Sequence, residues 1–371
     1  MILGVDVSTY LEEIEKGAKY YDNGVLINPL KDLHENGVDC MRIRLWNNPY
    51  DEKGVPYLAG TCDLDNFLKL SHLAKSLGYG ILLDFHYSDF WADPGKQMIP
   101  KAWRGFSLEQ MVEAVYTYTK ETLQKIKAEG ITLDYIQIGN EITNGILWPI
   151  GRLTEKEGER GNYSSLCALL SAGARACREE SDAKLILHLE RSHDQQVYTE
   201  FFTNMEKYGV DYDIIGASYY PYWHGTPDQF FANMENCKKF GKPRMVMELG
   251  YGFTLKPYML NENGMRLVIG EDAMKEMGFT APNPITVEGQ ADFVKEFLQR
   301  ATVEGIEGIF YWEPLWIPGE GICWASPEGQ KYIGEEGKST ANEWANQCLF
   351  DYKGNKLPSF DEFSIKNCKK A

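Results

Sequence analysis

Tyr135-Ile136-Gln137-Ile138-Gly139-Asn140-Glu141 is a short apolar run that stops on an amide and an acid. Its length, its β-branched residues and the glycine behind them read as a buried strand with its polar chemistry at the C-terminal end. Arg244-Met245-Val246-Met247 stops on Glu248 in the same manner. Six further runs of this kind cover Ile2–Val7, Cys40–Leu45, Gly80–Phe85, Lys184–Leu189, Ile214–Ser218 and Gly308–Tyr311. Most are separated by stretches with helical apolar spacing, such as Leu64–Leu77 (Leu64, Phe67, Leu68, Leu70, Leu73, Ala74, Leu77) and Leu108–Glu129 (Met111, Val112, Val115, Tyr118, Leu123, Ile126). Strands that alternate with helices are parallel and joined by crossovers, and eight such units close into a (β/α)8 barrel whose site lies on the loops at the strand C-termini. The absence of two-residue hairpin turns argues against an all-β sandwich.

Bulk properties narrow the partners. The 371-residue chain sets 38 Lys and Arg against 54 Asp and Glu, a formal charge of −16. Such a field repels nucleic acid and other polyanions, so a neutral substrate is the easier partner. The 9 Trp, 22 Tyr and 17 Phe suit a large core and sugar stacking equally. No run of about 18 apolar residues marks a membrane span. The start Met1-Ile2-Leu3-Gly4 lacks a charged leader with an apolar segment behind it. The expected compartment is cytoplasmic if Met1 is the native start, and secreted if a leader was removed ahead of it. Eight cysteines without Cys-x-x-Cys spacing favour buried thiols over zinc or a disulfide scaffold. Phosphate-loop, dinucleotide-binding and serine nucleophile motifs are lacking. With no linker, repeat or low-complexity tract, the expectation is one monomeric domain over 1–371. A substrate loop at about 250–287 and a C-terminal tail at about 349–371 packed on the barrel complete it.

Strand-end residues carry the candidate chemistry. Glu141 and Glu248 sit on the fourth and seventh runs, across the barrel from one another, where two carboxyls suit acid-assisted attack at a sugar carbon. Taken singly, each also fits a helix-start acid. Arg42 and Arg44 alternate with Ile43 and Leu45, which sends both guanidinium groups to one face. There, one of them orients Glu248, or both serve structural ion pairs with Asp6 or Asp84. His86, in the polar and aromatic loop Asp84–Gln97, suits binding of hydroxyl groups better than metal, because no second histidine stands at i+2 or i+4. Aromatic clusters broken by proline and charge close the sixth and eighth runs, Ser218–His224 and Tyr311–Trp316. They read as stacking surfaces more readily than core, with Trp91, Trp148, Trp312 and Trp316 as platforms. Glu313 is a rival acid. Asn261-Glu262-Asn263-Gly264 offers oxygen ligands for calcium but falls short of a calcium loop.

At Asp84-Phe85-His86-Tyr87-Ser88-Asp89-Phe90-Trp91-Ala92-Asp93-Pro94-Gly95-Lys96-Gln97 the chain closely resembles glycoside hydrolase family 53, the arabinogalactan endo-β-1,4-galactanases of clan A. Gly4–Ser8, Arg42–Asn47, Ile138–Ile142, Ser218–Pro221, Tyr311–Pro314 and Asn346–Asp351 resemble that family in order and spacing across nearly the whole chain. The resemblance implies a catalytic barrel with Glu141 as acid/base and Glu248 as nucleophile. It implies Asn140 at the 2-hydroxyl of the −1 sugar, Arg44 near the nucleophile, His86 and Tyr220 at the −1 subsite and Trp312 as its floor. After Glu248 the chain reads Leu249-Gly250-Tyr251-Gly252-Phe253-Thr254, where the family usually has a Thr-x-Tyr-Pro-Tyr-like run, and the calcium pattern of bacterial relatives is not recognisable.

The expected activity is therefore retaining endo-hydrolysis of neutral β-1,4-galactan or type I arabinogalactan. Glu141 and Glu248 are the catalytic pair, and Arg44, Asp84, His86, Trp91, Asn140, Trp148, Tyr220 and Trp312 the binding residues, without a cofactor or metal. A clan A hydrolase of β-glucan or β-mannan, and a barrel that binds oligosaccharide without cleaving it, are the alternatives.

Overall fold

The computed structural model describes residues 1–156, 159–260 and 268–368. Eight parallel strands close into a barrel in which sequence neighbours are also spatial neighbours. Counting barrel strands alone, these are β1 (Ile2–Asp6), β2 (Cys40–Leu45), β3 (Gly80–Phe85), β4 (Tyr135–Ile138), β5 (Lys184–Leu189), β6 (Ile214–Tyr219), β7 (Arg244–Leu249) and β8 (Gly308–Trp312). β8 pairs with β1 to complete the ring. The helix expected at Leu64–Leu77 has those bounds, started by the Asp63 carboxylate accepting from Asn66 N and stopped by Gly78 in the left-handed region. The next helix runs Leu108–Ala128, one residue short of expectation, and begins with a capping box between Ser107 and Gln110. Both place an apolar stripe on the barrel, as do Tyr163–Glu180, Gln195–Tyr208, Pro227–Asn236 and Val287–Val303.

The barrel interior changes character along its axis. At the strand starts, Cys40, Leu82, Ile186, Ile214, Met245, Met247 and Phe310 form an apolar floor separate from the larger core beneath the helices. A Cβ on Gly4 would lie 2.2 Å from the Phe310 ring, so this glycine makes room for the floor's largest side chain. One step toward the C-terminal face, period-two alternation brings Asp6, Arg42, Asp84, Gln137 and His188 inside, all with no exposed surface. β7 carries an irregularity where the strand meets this polar layer. Val246 pairs with Ala217 and Glu248 with Ser218, so Met247 is an extra residue. A bulge of this kind lets two consecutive side chains face the same way, here Met247 into the floor and Glu248 into the polar layer. The expected end of this strand at Met247 is thus too early, because Glu248 and Leu249 remain in the sheet.

Decorations lie in the excursion after β7 and in the C-terminal tail. The excursion at 250–287 contains the helix Glu271–Met277, while the calcium candidate Asn261–Gly264 falls outside the described residues. The helix Pro358–Glu362 packs on the flank, where Ser359 Oγ donates to Gln290 Oε1 at 2.6 Å and Ser364 Oγ to Asn36 O at 3.0 Å. The eight cysteines are free; seven are buried and Cys368 is half-buried. Among the described residues no helix is long and apolar enough to cross a membrane.

Candidate active site

β4 delivers Asn140 and Glu141 through a tight left-handed turn. Gly139 has φ +82° and a Cβ there would sit 2.6 Å from Ile142, while Glu141 itself takes φ 47° and ψ 53°. A non-glycine residue in that region costs about 1–3 kcal/mol and persists where its surroundings impose it. The turn aims the Glu141 carboxyl across the barrel mouth toward Glu248. One carboxylate oxygen of each, together with a ring nitrogen of His188, lie within 4.8 Å of one another. An approach of two oxygens to within 4.8 Å accords with carboxyls about 5–5.5 Å apart, as in retaining glycosidases, rather than with the roughly 6.5–9.5 Å that seats a water between the pair.

The two carboxyls have different surroundings. Glu248 Oε1 lies 3.0 Å from Arg42 Nη1, and its Oε2 accepts from the Tyr220 hydroxyl at 2.9 Å. Burial, with Asp6 and Asp84 nearby, pushes Glu248 up to about 7, and Arg42 and Tyr220 restrain that rise. Among the described residues no guanidinium pairs with Glu141; its Oε1 lies 2.6 Å from Ser218 Oγ. Burial first, then the negative charges of Glu248 and Glu190, raise it well above the carboxylate range, opposed by Ser218 where that hydroxyl donates. Of the two, Glu248 is built to be charged and Glu141 to keep a proton.

Arg42 is the hub. Nη1 donates to Asp6 at 2.8 Å, Nη2 to Asp84 and to Asn140 Oδ1 at 2.8 Å each, and Nε to Gln137 at 3.2 Å. The sequence left open whether an arginine orients Glu248 or serves a structural pair; Arg42 does both. Arg44, expected near the nucleophile, contacts Asp6 at 3.0 Å and Glu313 at 2.7 Å instead. It stacks over Trp91 at 4.6 Å and reaches the cavity wall. Glu313, the rival acid, is committed to Arg44 and to Thr9 N and Oγ1 and does not line the cavity.

A cavity of about 580 Å³ opens over this pair. Of the expected binding residues, Arg44, Trp91, Asn140, Tyr220 and Trp312 line it. Asp84 and His86 lie behind the wall. Asp84 accepts from Arg42 and from Gln137 Nε2 at 2.6 Å, and His86 Nε2 sits 3.1 Å from Asp84. His86 Nδ1 accepts from Trp46 Nε1 and from Ala92 N. Both residues therefore brace Arg42 and the loop that follows β3. Trp148 is also off the wall; its indole donates to Asn144 O at 3.0 Å and its face carries Arg152 at 4.3 Å. Trp316, the other expected platform, is buried beneath Trp91 and Trp312, with ring centroids 6.2 and 5.8 Å away.

Sequence reasoning overlooked several wall residues: Trp324 and Trp344 from the loops after β8, Met277 from the 250–287 excursion, and Glu190 beyond β5. It also passed over His188 and Ser218 beside Glu141. A lone histidine and serine at inward positions of two apolar strands were the available signal. Among the described residues, Glu141, His188 and Glu248 are the one group of three acids, histidines or cysteines close enough to share an ion. Both nitrogens of His188 are engaged, by Asn140 at 3.1 Å and Ser218 at 2.8 Å, so this cluster is not built as a metal centre.

The family model described as Glycosyl hydrolase family 53 matches residues 2–363. An endo-beta-1,4-galactanase of Bacillus subtilis (strain 168) is 35% identical over 388 residues, covering 98% of this chain and 85% of the relative. An arabinogalactan endo-beta-1,4-galactanase of Cellvibrio japonicus (strain Ueda107) is 31% identical over 370 residues, covering 96% and 89%. The solved GH53 catalytic domain of Ignisphaera aggregans superposes with a TM-score of 0.85 at 38% identity, covering 98% of this chain and 95% of that one.

Proposed function

The chain belongs to glycosyl hydrolase family 53, and from that premise we propose that it is a retaining endo-β-1,4-galactanase acting on β-1,4-galactan and type I arabinogalactan. The observation that carries the mechanism is the pair of unlike carboxyls, Glu141 and Glu248, within 4.8 Å across the barrel mouth. Trp91, Trp312, Trp324 and Trp344 offer apolar faces to sugar rings along the same wall. The surplus of acidic residues favours an uncharged glycan.

In the first half-reaction Glu248 Oε attacks the anomeric carbon while Glu141 gives its proton to the glycosidic oxygen, so the carbon–oxygen bond to the leaving sugar breaks as the glycosyl ester forms. Arg42 and Tyr220 hold the attacking carboxylate ionised and aimed. In the second half-reaction Glu141, now a carboxylate, takes a proton from water, whose oxygen attacks the same carbon and frees Glu248. Asn140, fixed by Arg42 through its oxygen and by Ala92 O through its nitrogen, borders the sugar position between the acids. This machinery uses side chains alone.

The test is reducing-sugar release from linear galactan, β-glucan and β-mannan, with the product anomer followed by proton NMR. Galactan cleavage with net retention, lost in Glu248→Ala and recovered with inverted configuration on adding azide, is the expected outcome. Preference for glucan or mannan would reassign the substrate. Wild-type-like turnover by Glu248→Ala would remove the nucleophile.

A further inference from the structure

The Glu141 carboxyl ends a hydrogen-bond chain whose direction can be read from its far end. Arg42 Nη2 and Gln137 Nε2 both donate to Asn140 Oδ1, at 2.8 and 3.2 Å, and Asn140 Nδ2 donates to Ala92 O at 2.9 Å. A guanidinium has donors only, so the Asn140 amide has one orientation. His188 Nδ1 lies 3.1 Å from that same oxygen, an acceptor, and therefore carries a hydrogen. His188 is fully buried, and burial together with Arg42, His86 and His224 holds its pKa well below the ordinary histidine range. The ring is neutral and its Nε2 is bare. Ser218 Oγ, 2.8 Å from Nε2, gives its one hydrogen to His188. The same oxygen lies 2.6 Å from Glu141 Oε1 with no hydrogen left to offer, so the hydrogen in that contact belongs to Glu141.

We propose that His188 and Ser218 are positioning residues that keep the general acid loaded: the chain Glu141 to Ser218 to His188 to Asn140 runs in one direction, with Glu141 as the donor at its head. The inference rests on Glu141 being the acid in the reaction above. Protonated Glu141 satisfies every member of the chain. Ionised Glu141 faces a serine lone pair unless Ser218 turns its hydrogen away from His188, and either arrangement breaks one bond. The like charges of Glu248 and Glu190, with Asp93 beyond them, act on Glu141 in the same sense. Proton transfer to the leaving oxygen takes the hydrogen out of the Ser218 contact, so the new Glu141 carboxylate either draws the serine hydrogen away from His188 or goes without it; proton uptake from water in the second half-reaction restores the complete chain.

Two measurements test this in the full-length enzyme. Long-range proton–nitrogen NMR of the six histidines should show one neutral ring, perturbed in Ser218→Ala, with hydrogen on Nδ1 and none on Nε2 across the active pH range. A hydrogen on Nε2, or an imidazolium, would overturn the proposal. In the pH profile of kcat/KM, Ser218→Ala removes the acceptor of the acid form, so the basic limb should fall by about one pH unit. His188→Phe frees the serine hydrogen for the Glu141 carboxylate and should move the limb the same way. If Ser218 donated to a Glu141 carboxylate in the wild type, its removal would raise the limb, and a rise or no movement refutes the chain's direction. Failure of the wild type to cleave any β-linked glycan would instead overturn the catalytic reading while leaving the His188 tautomer to be read.

Discussion

Tyr220→Phe removes a single oxygen, the donor 2.9 Å from Glu248 Oε2, and isolates what that hydrogen bond does for the nucleophile. A hydrogen bond to a charged group contributes about 1.5–3 kcal/mol. The low end applies here, because Arg42 still holds Oε1 at 3.0 Å. Since one pKa unit corresponds to about 1.4 kcal/mol, the loss raises the Glu248 pKa by roughly one unit. Burial has already brought that group up to about 7. Glu248 must be ionised to attack, so protonation defines the acid limb of kcat/KM, and a higher pKa moves that limb to higher pH. The expected result on linear galactan is an acid limb displaced upward by about one unit, with roughly tenfold greater loss below the limb than on the plateau. The ring itself should stay in place, packed edge-on against Trp223 and Trp312 with centroids 5.8 and 6.4 Å away, so the thermal midpoint should change little. A uniform loss at every pH would refute this reasoning and leave Tyr220 as a substrate contact alone.

Glu141→Gln should abolish cleavage of galactan but spare the first half-reaction of an aryl galactoside with an acidic phenol, whose departure needs no proton; a burst of phenol measures this, and equal losses on both substrates would contradict the acid role. Glu13, buried against Thr9, Tyr20 and Glu313, is raised well above 4.5 by burial first and Glu313 second. A carboxyl raised on folding stabilises the native state below its unfolded pKa, and that contribution is lost as pH rises through the folded value. Glu13→Gln should therefore raise the thermal midpoint relative to wild type more at pH 8 than at pH 5, and a pH-independent difference would refute it. Gly4→Ala puts a methyl 2.2 Å from the Phe310 ring and should cost at least about 1–3 kcal/mol of stability, as overpacking does; an unchanged unfolding midpoint would show that the ring has room to move.

Much of this molecule was legible in its residues. Parallel strands buried on both faces read as unbroken apolar runs, which is why all eight were found within two residues of their ends. The bulge on β7 was not legible, since Met245-Val246-Met247 is equally apolar with or without an extra residue and only pairing with the neighbouring strands β6 and β8 exposes the count. Alternation placed Arg42 and Arg44 on one face but could not rank them. Arg42 reaches Glu248 because Asp6 and Glu313 draw Arg44 aside. Asp84, His86 and Trp148 carried the same strand-end or aromatic signal as true wall residues. What separates them is whether protein partners already satisfy them, and that appears only once Gln137, Trp46 and Arg152 are in place. Trp324 comes from a loop and Trp344 from the short 3-10 helix Glu343–Gln347, segments too brief for periodicity, where a tryptophan's direction has no signature in sequence.

The packing of acids and arginines inside the barrel has a consequence for inhibitors. Asp6, Asp84, Glu248 and Glu313 share two guanidinium groups, Arg42 and Arg44, in a space sealed below by hydrocarbon. Acidic groups outnumber basic ones there, and a sugar that gains positive character at its anomeric centre is the species that redresses the imbalance. A galactose-shaped iminosugar, whose ring amine carries a positive charge when protonated, should accordingly be retained far longer than its neutral lactam, although the two fill the same volume.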